Sequence, residues 1–400
     1  TNAPRLEDVQ VHPSPSFCGG CRSVQAQMAA VAMAPGQRDR TIVDEQPSYT
    51  VYGSRLSFFT MKLVAAMEWH FAGDFVLCIK GAGGALDTSE LEARAATHQI
   101  PVLLTPERWC IADTTPIFTL LDSRLPAPVL YPRGMVGVVA AVLEEYFDEW
   151  APRWAIHLRW QSGHATAADA AAAMTSERGL PEPAATQAGK AIAQWGRRAA
   201  RAIGVGTESQ QRACEAEMLR VLTAFDSHLA DGHRFVLGDA PTAVDCVLMG
   251  CLKAHLLRDI ASRRQLAHLP AVAAWVEQAA ATPARPSQPS VPLTAGTLPP
   301  FVALVLGEMG DGFSRFVEGS RDAVTLGAKS FTAPVYGEAV SFLTRPYVEK
   351  SRRMLVRKLA THLEGCTQAE RDDCAAVLMR YGLAELYLPG NASITPSARL

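Results

Sequence analysis

The stretch QIPVLLTPERWCIADTTPIFTLLD, Gln99 to Asp122, decides how the rest of the chain is placed. Ile100 to Leu104 is a short apolar run entered through Pro101, and Trp109 to Ala112 is a second one after the turn Thr105-Pro106-Glu107-Arg108, so the pair reads as two strands of a hairpin. Pro101 stands at a strand entrance, where a cis peptide is accommodated. Asp113-Thr114-Thr115-Pro116 then has the form of a helix start, with a side-chain oxygen at the cap and a proline in the first turn, and Ile117, Leu120 and Leu121 follow at helical spacing. Such a start presents free backbone N–H groups and a partial positive charge, which together suit a ligand carboxylate.

Upstream, SYTVYG (Ser48 to Gly53) is rich in β-formers, and Leu56 to His70 repeats Phe59, Leu63, Met67 and His70 with helical period. DFVLCIK (Asp74 to Lys80) is a further strand, followed by a short helical piece around Ser89 to Thr97. The order through residue 122 is therefore βαβ, a short helix, then ββα. Gly81-Ala82-Gly83-Gly84 has neither the Lys-Ser/Thr pair of a phosphate loop nor dinucleotide spacing, and reads as a turn.

This order, with the Pro101 strand and the Asp113-Thr114 helix start, resembles the N-terminal thioredoxin-like domain of glutathione S-transferases, whose pattern is a "VP-L" strand followed by an "E/D-S" helix start. The resemblance implies that Val102, after the proline, pairs its backbone with the cysteinyl part of glutathione. It implies that Asp113 and Thr114 hold the γ-glutamyl end and that Gln99 touches the tripeptide. The family also carries a hydroxyl or thiol near the end of the first strand that contacts the glutathione sulfur. Ser57-Phe58-Phe59-Thr60-Met61-Lys62-Leu63 resembles the serine-type signature without its usual proline, so Ser57 is the first candidate, with Ser54 and Tyr52 as alternatives. A hydroxyl there would donate to a thiolate beside a helix start, lowering the thiol pKa.

Residues 125–134 are a Pro-rich linker. After it, Val138, Val142, Tyr146, Trp150 and Trp154 recur on one helical stripe, and the resemblance makes Tyr146, Trp150, Trp154 and His157 candidate walls of an electrophile pocket. The Ala-rich stretch 165–202, broken at Leu180-Pro181-Glu182-Pro183, and Gln210 to Leu229 continue an all-helical domain over 135–282. Its sharpest mark is GDAPTAVD, Gly238 to Asp245, where Thr242 and Asp245 stand in capping-box spacing. This segment resembles the "GD-PT-AD" segment of the same family, with a folding role. Residues 283–300 are a second Pro-rich linker. Residues 301–400 form a helical C-terminal extension, with Phe301–Glu318, Tyr336–Leu343, Tyr347–Leu363 and Ala369–Leu386 read as helices. Arg345, Lys350, Arg352, Arg353, Arg357 and Lys358, interleaved with Glu349, read as a solvated helix face.

The 400 residues carry 48% hydrophobic and 20% charged residues with a formal charge of −2, which suits a globular protein of more than one domain and advertises no nucleic-acid or membrane partner. Nine scattered cysteines make no small disulfide framework and point to a reducing, cytoplasmic setting. Cys18 and Cys21 form a C-x-x-C without a preceding strand, in an N-terminal extension (1–47) that reads as poorly ordered, and no further ligands stand near them for a metal. The fold expected is a thioredoxin-like glutathione-binding domain over 48–124, an all-helical glutathione S-transferase C-terminal-like domain, and the extension. The activity implied is a metal-free, glutathione-dependent transferase or lyase, in which glutathione as co-substrate adds to a small hydrophobic electrophile. A homodimer is among the assemblies the resemblance implies. The competing reading is a non-catalytic binding or interaction protein whose extension is the working part.

Overall fold

The computed structural model describes residues 48–82, 84, 86–127, 129–279 and 293–388. The Cys18/Cys21 pair, the N-terminal extension and residues 283–292 of the second linker lie outside the described residues. Strands β1 (Tyr49–Gly53), β2 (Phe75–Ile79), β3 (Val102–Leu104) and β4 (Cys110–Ala112) form a four-stranded sheet in the order β2-β1-β3-β4. β1 runs parallel to β2 and antiparallel to β3, which is antiparallel to β4. Helices α1 (Phe58–His70), α2 (Thr88–Ala95) and α3 (Thr114–Ser123) complete a thioredoxin-like α/β fold. The Ile100–Pro101 peptide is cis. Alternation along β1 sends Tyr49 and Val51 into the main core under α1, and Tyr52 into a smaller core with Leu86, Leu91, Val102 and Leu104.

The aromatic stripe lies on two helices, α4 (Met135–Glu149) and α5 (Pro152–Trp160), since Pro152 takes the first-turn position of a new helix. Next come α6 (His164–Glu177), α7 (Ala184–Ala202), α8 (Glu208–Ala230), α9 (Ala243–Cys251), α10 (Ile260–Gln265) and α11 (Pro270–Ala279). The all-helical part docks on the sheet half chiefly through α9 against α1. Gly250 makes the approach feasible, because a Cβ there would stand 2.6 Å from Phe58 O and Lys62 N. The first linker is itself structured: Leu130 and Tyr131 are buried, Leu130 N–H donates to Asp122 Oδ1 at 2.9 Å, and its carbonyl accepts from Ala243 N–H at 3.0 Å.

The extension is not wholly helical. After α12 (Pro300–Glu308), a π-helical turn (Met309–Phe313) and α13 (Ser314–Leu326), β5 (Ser330–Val335) and β6 (Glu338–Leu343) form a hairpin closed by Tyr336 and Gly337. Both turn residues have positive φ, 55° and 77°, the primed geometry that matches the twist of paired strands. The Tyr336–Leu343 helix expected from sequence is thus a turn and a strand. Its signal was the alternation Ala333, Val335, Val340, Phe342 on the buried face. Helices α14 (Pro346–Glu364), α15 (Gln368–Arg380) and α16 (Ala384–Tyr387) end the described chain, and α14 packs along α4. Among the described residues no helix is long and apolar enough to cross a membrane.

Candidate functional site

Ser57 is the N-cap of α1: its Oγ accepts from Thr60 N–H at 3.3 Å, and its side chain is half-buried. The loop before it is held from the helical part by two side chains. Glu177, the last residue of α6, accepts the Ser54 hydroxyl at 2.5 Å and Arg55 N–H at 2.7 Å. Arg159 of α5 donates to Leu56 O at 2.8 Å while gripping Asp259 at 2.6 Å and 3.2 Å, all in the interior. A carboxylate from the chain itself therefore covers the backbone N–H that precedes the helix, the type of group a ligand anion would seek. Tyr52 is removed from this place, because its phenol is buried on the other face of the sheet and accepts from Leu86 N–H at 2.8 Å.

The second half of the expected site is also engaged. Asp113 caps α3 at φ 76°, its Oδ1 accepting from Thr115 N–H at 3.1 Å. The same carboxylate accepts the Tyr347 hydroxyl at 2.7 Å and lies 3.3 Å from the Lys350 ammonium, both from the first turns of α14. Burial, then Asp113, holds the Tyr347 phenol above its ordinary pKa, so it stays a donor. Thr114 is buried, and its hydroxyl accepts from Lys62 Nζ at 3.3 Å. Val102 lies opposite Tyr52 on β1 and Ala112 on β4, at the start of β3 directly after the cis Pro101. Gln99 is exposed, its backbone N–H donating to Thr97 Oγ1 at 3.1 Å.

Lys62 is the hub behind this corner. Fully buried, it meets Asp148 Oδ2 at 2.5 Å and Glu144 Oε1 at 2.7 Å. Burial alone would lower its pKa, but the two carboxylates outweigh burial and hold it above the ordinary lysine value. α4 turns four acids inward here, Glu144, Glu145, Asp148 and Glu149, beside a cavity of about 10 Å³ that also touches Thr115, Ser351 and Lys358. Burial pushes Asp148 up to about 7 against the pull of Lys62, and burial together with Glu149 holds Glu145 well above the usual carboxylate range. Lys358 is not on a solvated face: its ammonium lies 3.5 Å from the Tyr131 ring centre and 3.7 Å from Glu144. Arg352 is buried too, donating to Glu349 at 2.7 Å and 2.9 Å.

The expected electrophile pocket is packed core. Tyr146, Trp150 and Trp154 are at most 1% exposed and all turn their polar atoms to Glu217 of α8: Tyr146 OH at 2.9 Å, Trp150 Nε1 at 2.8 Å and Trp154 Nε1 at 3.1 Å. Tyr336 OH donates to the same carboxylate, and the Arg153 guanidinium stands 3.8 Å from it, stacked 3.6 Å over Trp150. A buried carboxylate accepts this many donors because each would otherwise be orphaned. His157 is buried between Gln161 at 2.9 Å and Glu215 at 2.8 Å, a structural contact between α5 and α8.

The Thr242/Asp245 pair acts as expected. Asp245 accepts Thr242 N–H at 2.8 Å, the Thr242 hydroxyl at 2.9 Å and Val236 N–H at 2.9 Å, and burial pushes its pKa up to about 6. Asp245→Ala leaves two buried N–H groups unpaired and should destabilise the fold by roughly 2–4 kcal/mol in urea titrations. A loss below about 1 kcal/mol would contradict a structural role for this box. Among the described residues no group of three or more His, Cys, Asp or Glu side chains is placed to hold a metal ion.

Sheet order, helical second half and the Asp245 box define a thioredoxin-like domain joined to an all-helical one. Residues 185–283 match the family model "Glutathione S-transferase, C-terminal domain", so that part of the chain is similar to this family. Among curated proteins none matches. Similar solved structures include a glutathione S-transferase from Rhodospirillum rubrum F11, 19% identical over 59% of this chain and 89% of that one, with a TM-score of 0.37. The Tau class glutathione S-transferase of mango, Mangifera indica, is 18% identical over 59% and 90%, with a TM-score of 0.35. A maleylacetoacetate isomerase from Anaeromyxobacter dehalogenans 2CP-1 is 20% identical over 59% and 87%, with a TM-score of 0.32.

Proposed function

We propose that this chain uses the glutathione S-transferase fold as a non-catalytic binding or interaction scaffold and does not conjugate glutathione. The observation that carries this reading is the capture of Asp113 by Tyr347 and Lys350. A γ-glutamyl ammonium would be the natural partner of that carboxylate, and Lys350 already supplies an ammonium from the same chain. Glu177 on the Ser54–Arg55 loop and Lys62 on Thr114 support the same conclusion, since each engages a group that glutathione would need. A ligand must displace these intramolecular partners, which are present at high effective concentration. All seven described cysteines are free thiols.

A second reading, transfer of the glutathione thiolate to a small hydrophobic electrophile or the corresponding lyase chemistry, is favoured by Ser57. Its hydroxyl caps α1 half-buried by accepting from Thr60 N–H and keeps its own proton to donate to a thiolate. Retention on immobilised glutathione and thiol conjugation with a general aromatic electrophile separate the two. The expected result is no retention and no turnover above the uncatalysed rate. Turnover that disappears in Ser57→Ala and Asp113→Ala would establish the transferase reading instead.

A further inference from the structure

The overall charge is close to balanced, but one helix is not. α7, AATQAGKAIAQWGRRAARA, contains four basic residues and no acid. Lys190, Arg197, Arg198 and Arg201 are all exposed, and none forms an ion pair with a described residue. At 100° per residue they fall within one arc of about a quarter-turn, and they extend for about 16 Å along the axis. Trp195, 57% exposed, stands on the flank of that stripe. The opposite face, with Ala188, Ile192, Gly196 and Ala200, is the one that packs, and Gly196 lets the helix lie directly on the Trp160 ring.

We infer that the exposed face of α7 is a docking surface for the anionic headgroups of a lipid bilayer. Charge complementarity is the first reason: four cations with no ion-pair partner among the described residues and no interspersed carboxylate on the helix attract a phosphate-rich surface. Shape is the second. The stripe is the outer side of a helix, convex, without the buried apolar centre that a protein interface needs, so its partner must be a flat surface that conforms to it. Composition is the third, because long Arg and Lys side chains reach headgroup phosphates while an indole at the flank sits at the water–lipid boundary.

Co-sedimentation of the full chain with phosphatidylglycerol-containing vesicles, against vesicles of phosphatidylcholine alone, tests this. The expected result is binding to the anionic vesicles only, reversed by high salt, with a blue-shifted tryptophan emission that is lost in Trp195→Phe. Arg197→Glu/Arg198→Glu should lower the affinity roughly tenfold or more. Circular dichroism of that variant shows whether it keeps its fold, and the neutral pair Lys190→Gln/Arg201→Gln provides a milder second reading, expected to weaken binding severalfold. No binding to anionic vesicles, binding that these folded variants leave unchanged, or a stripe-dependent affinity for duplex DNA above that for vesicles would each overturn the inference.

Discussion

Glu217→Ala is expected to destabilise the protein by about 3–5 kcal/mol. The carboxylate sits at 1% exposure among Tyr146, Trp150, Trp154, Tyr336 and Arg153. Its removal takes the nearby counter-charge, 3.8 Å away, from a buried guanidinium whose three nitrogens make no hydrogen bond. It also releases the two indole N–H groups and two phenols that converge on it, and α4, α5, α8 and the β5–β6 hairpin lose their common tie. Glu217→Gln keeps an acceptor but not the charge, and should fall between wild type and alanine. Urea unfolding followed by tryptophan fluorescence measures both, and a loss under about 1 kcal/mol for Glu217→Ala would show that the cluster contributes little.

Lys62→Met is the second large change, and its size should depend on pH. In the wild type Asp148 and Glu145 have folded pKa values above their unfolded ones. The folded state therefore binds more protons than the unfolded state between about pH 4 and pH 7, and the contribution of these groups is full below that window and declines as pH rises through it. Removing the ammonium takes away the charge that opposes the rise of Asp148. At pH 8 the variant must either bury ionised Asp148 and Glu144 without their main cation or hold a carboxyl protonated against the solution pH, at a loss of about 3–5 kcal/mol. Near pH 5 the carboxyls can remain protonated, so the loss should shrink to roughly half or less. Equal losses at both pH values would contradict the assignment of this cluster as a proton-linked ion network.

The parts that sequence reading found are those whose signals are local. The hairpin, the cis Pro101 strand entrance, the Asp113 cap and the Asp245 box each depend on residues within a few positions of one another, and the structure has all of them. What the reading missed depends on partners far along the chain. Tyr347 and Lys350 reach Asp113 across more than two hundred residues, and no local pattern marks them apart from a basic cluster whose spacing is that of a solvated helix face. The stripe of Tyr146, Trp150 and Trp154 had the right period, yet only Glu217, elsewhere in the sequence, decides that it is core rather than pocket. Lys62 carried the position of a signature residue but became the centre of a buried ion cluster, because α4 turns acids where an amphipathic helix would show them to water. The Tyr336–Leu343 strand was hidden by a Tyr-Gly turn, a less common form of the primed hairpin than Asn-Gly.

Asp113, Thr114 and the Ser54–Arg55 loop are each engaged by the chain's own side chains. Calorimetric titration of the wild-type protein with glutathione tests this most directly. The structure predicts no saturable heat at millimolar glutathione. Saturable one-site binding that Asp113→Ala abolishes would contradict it.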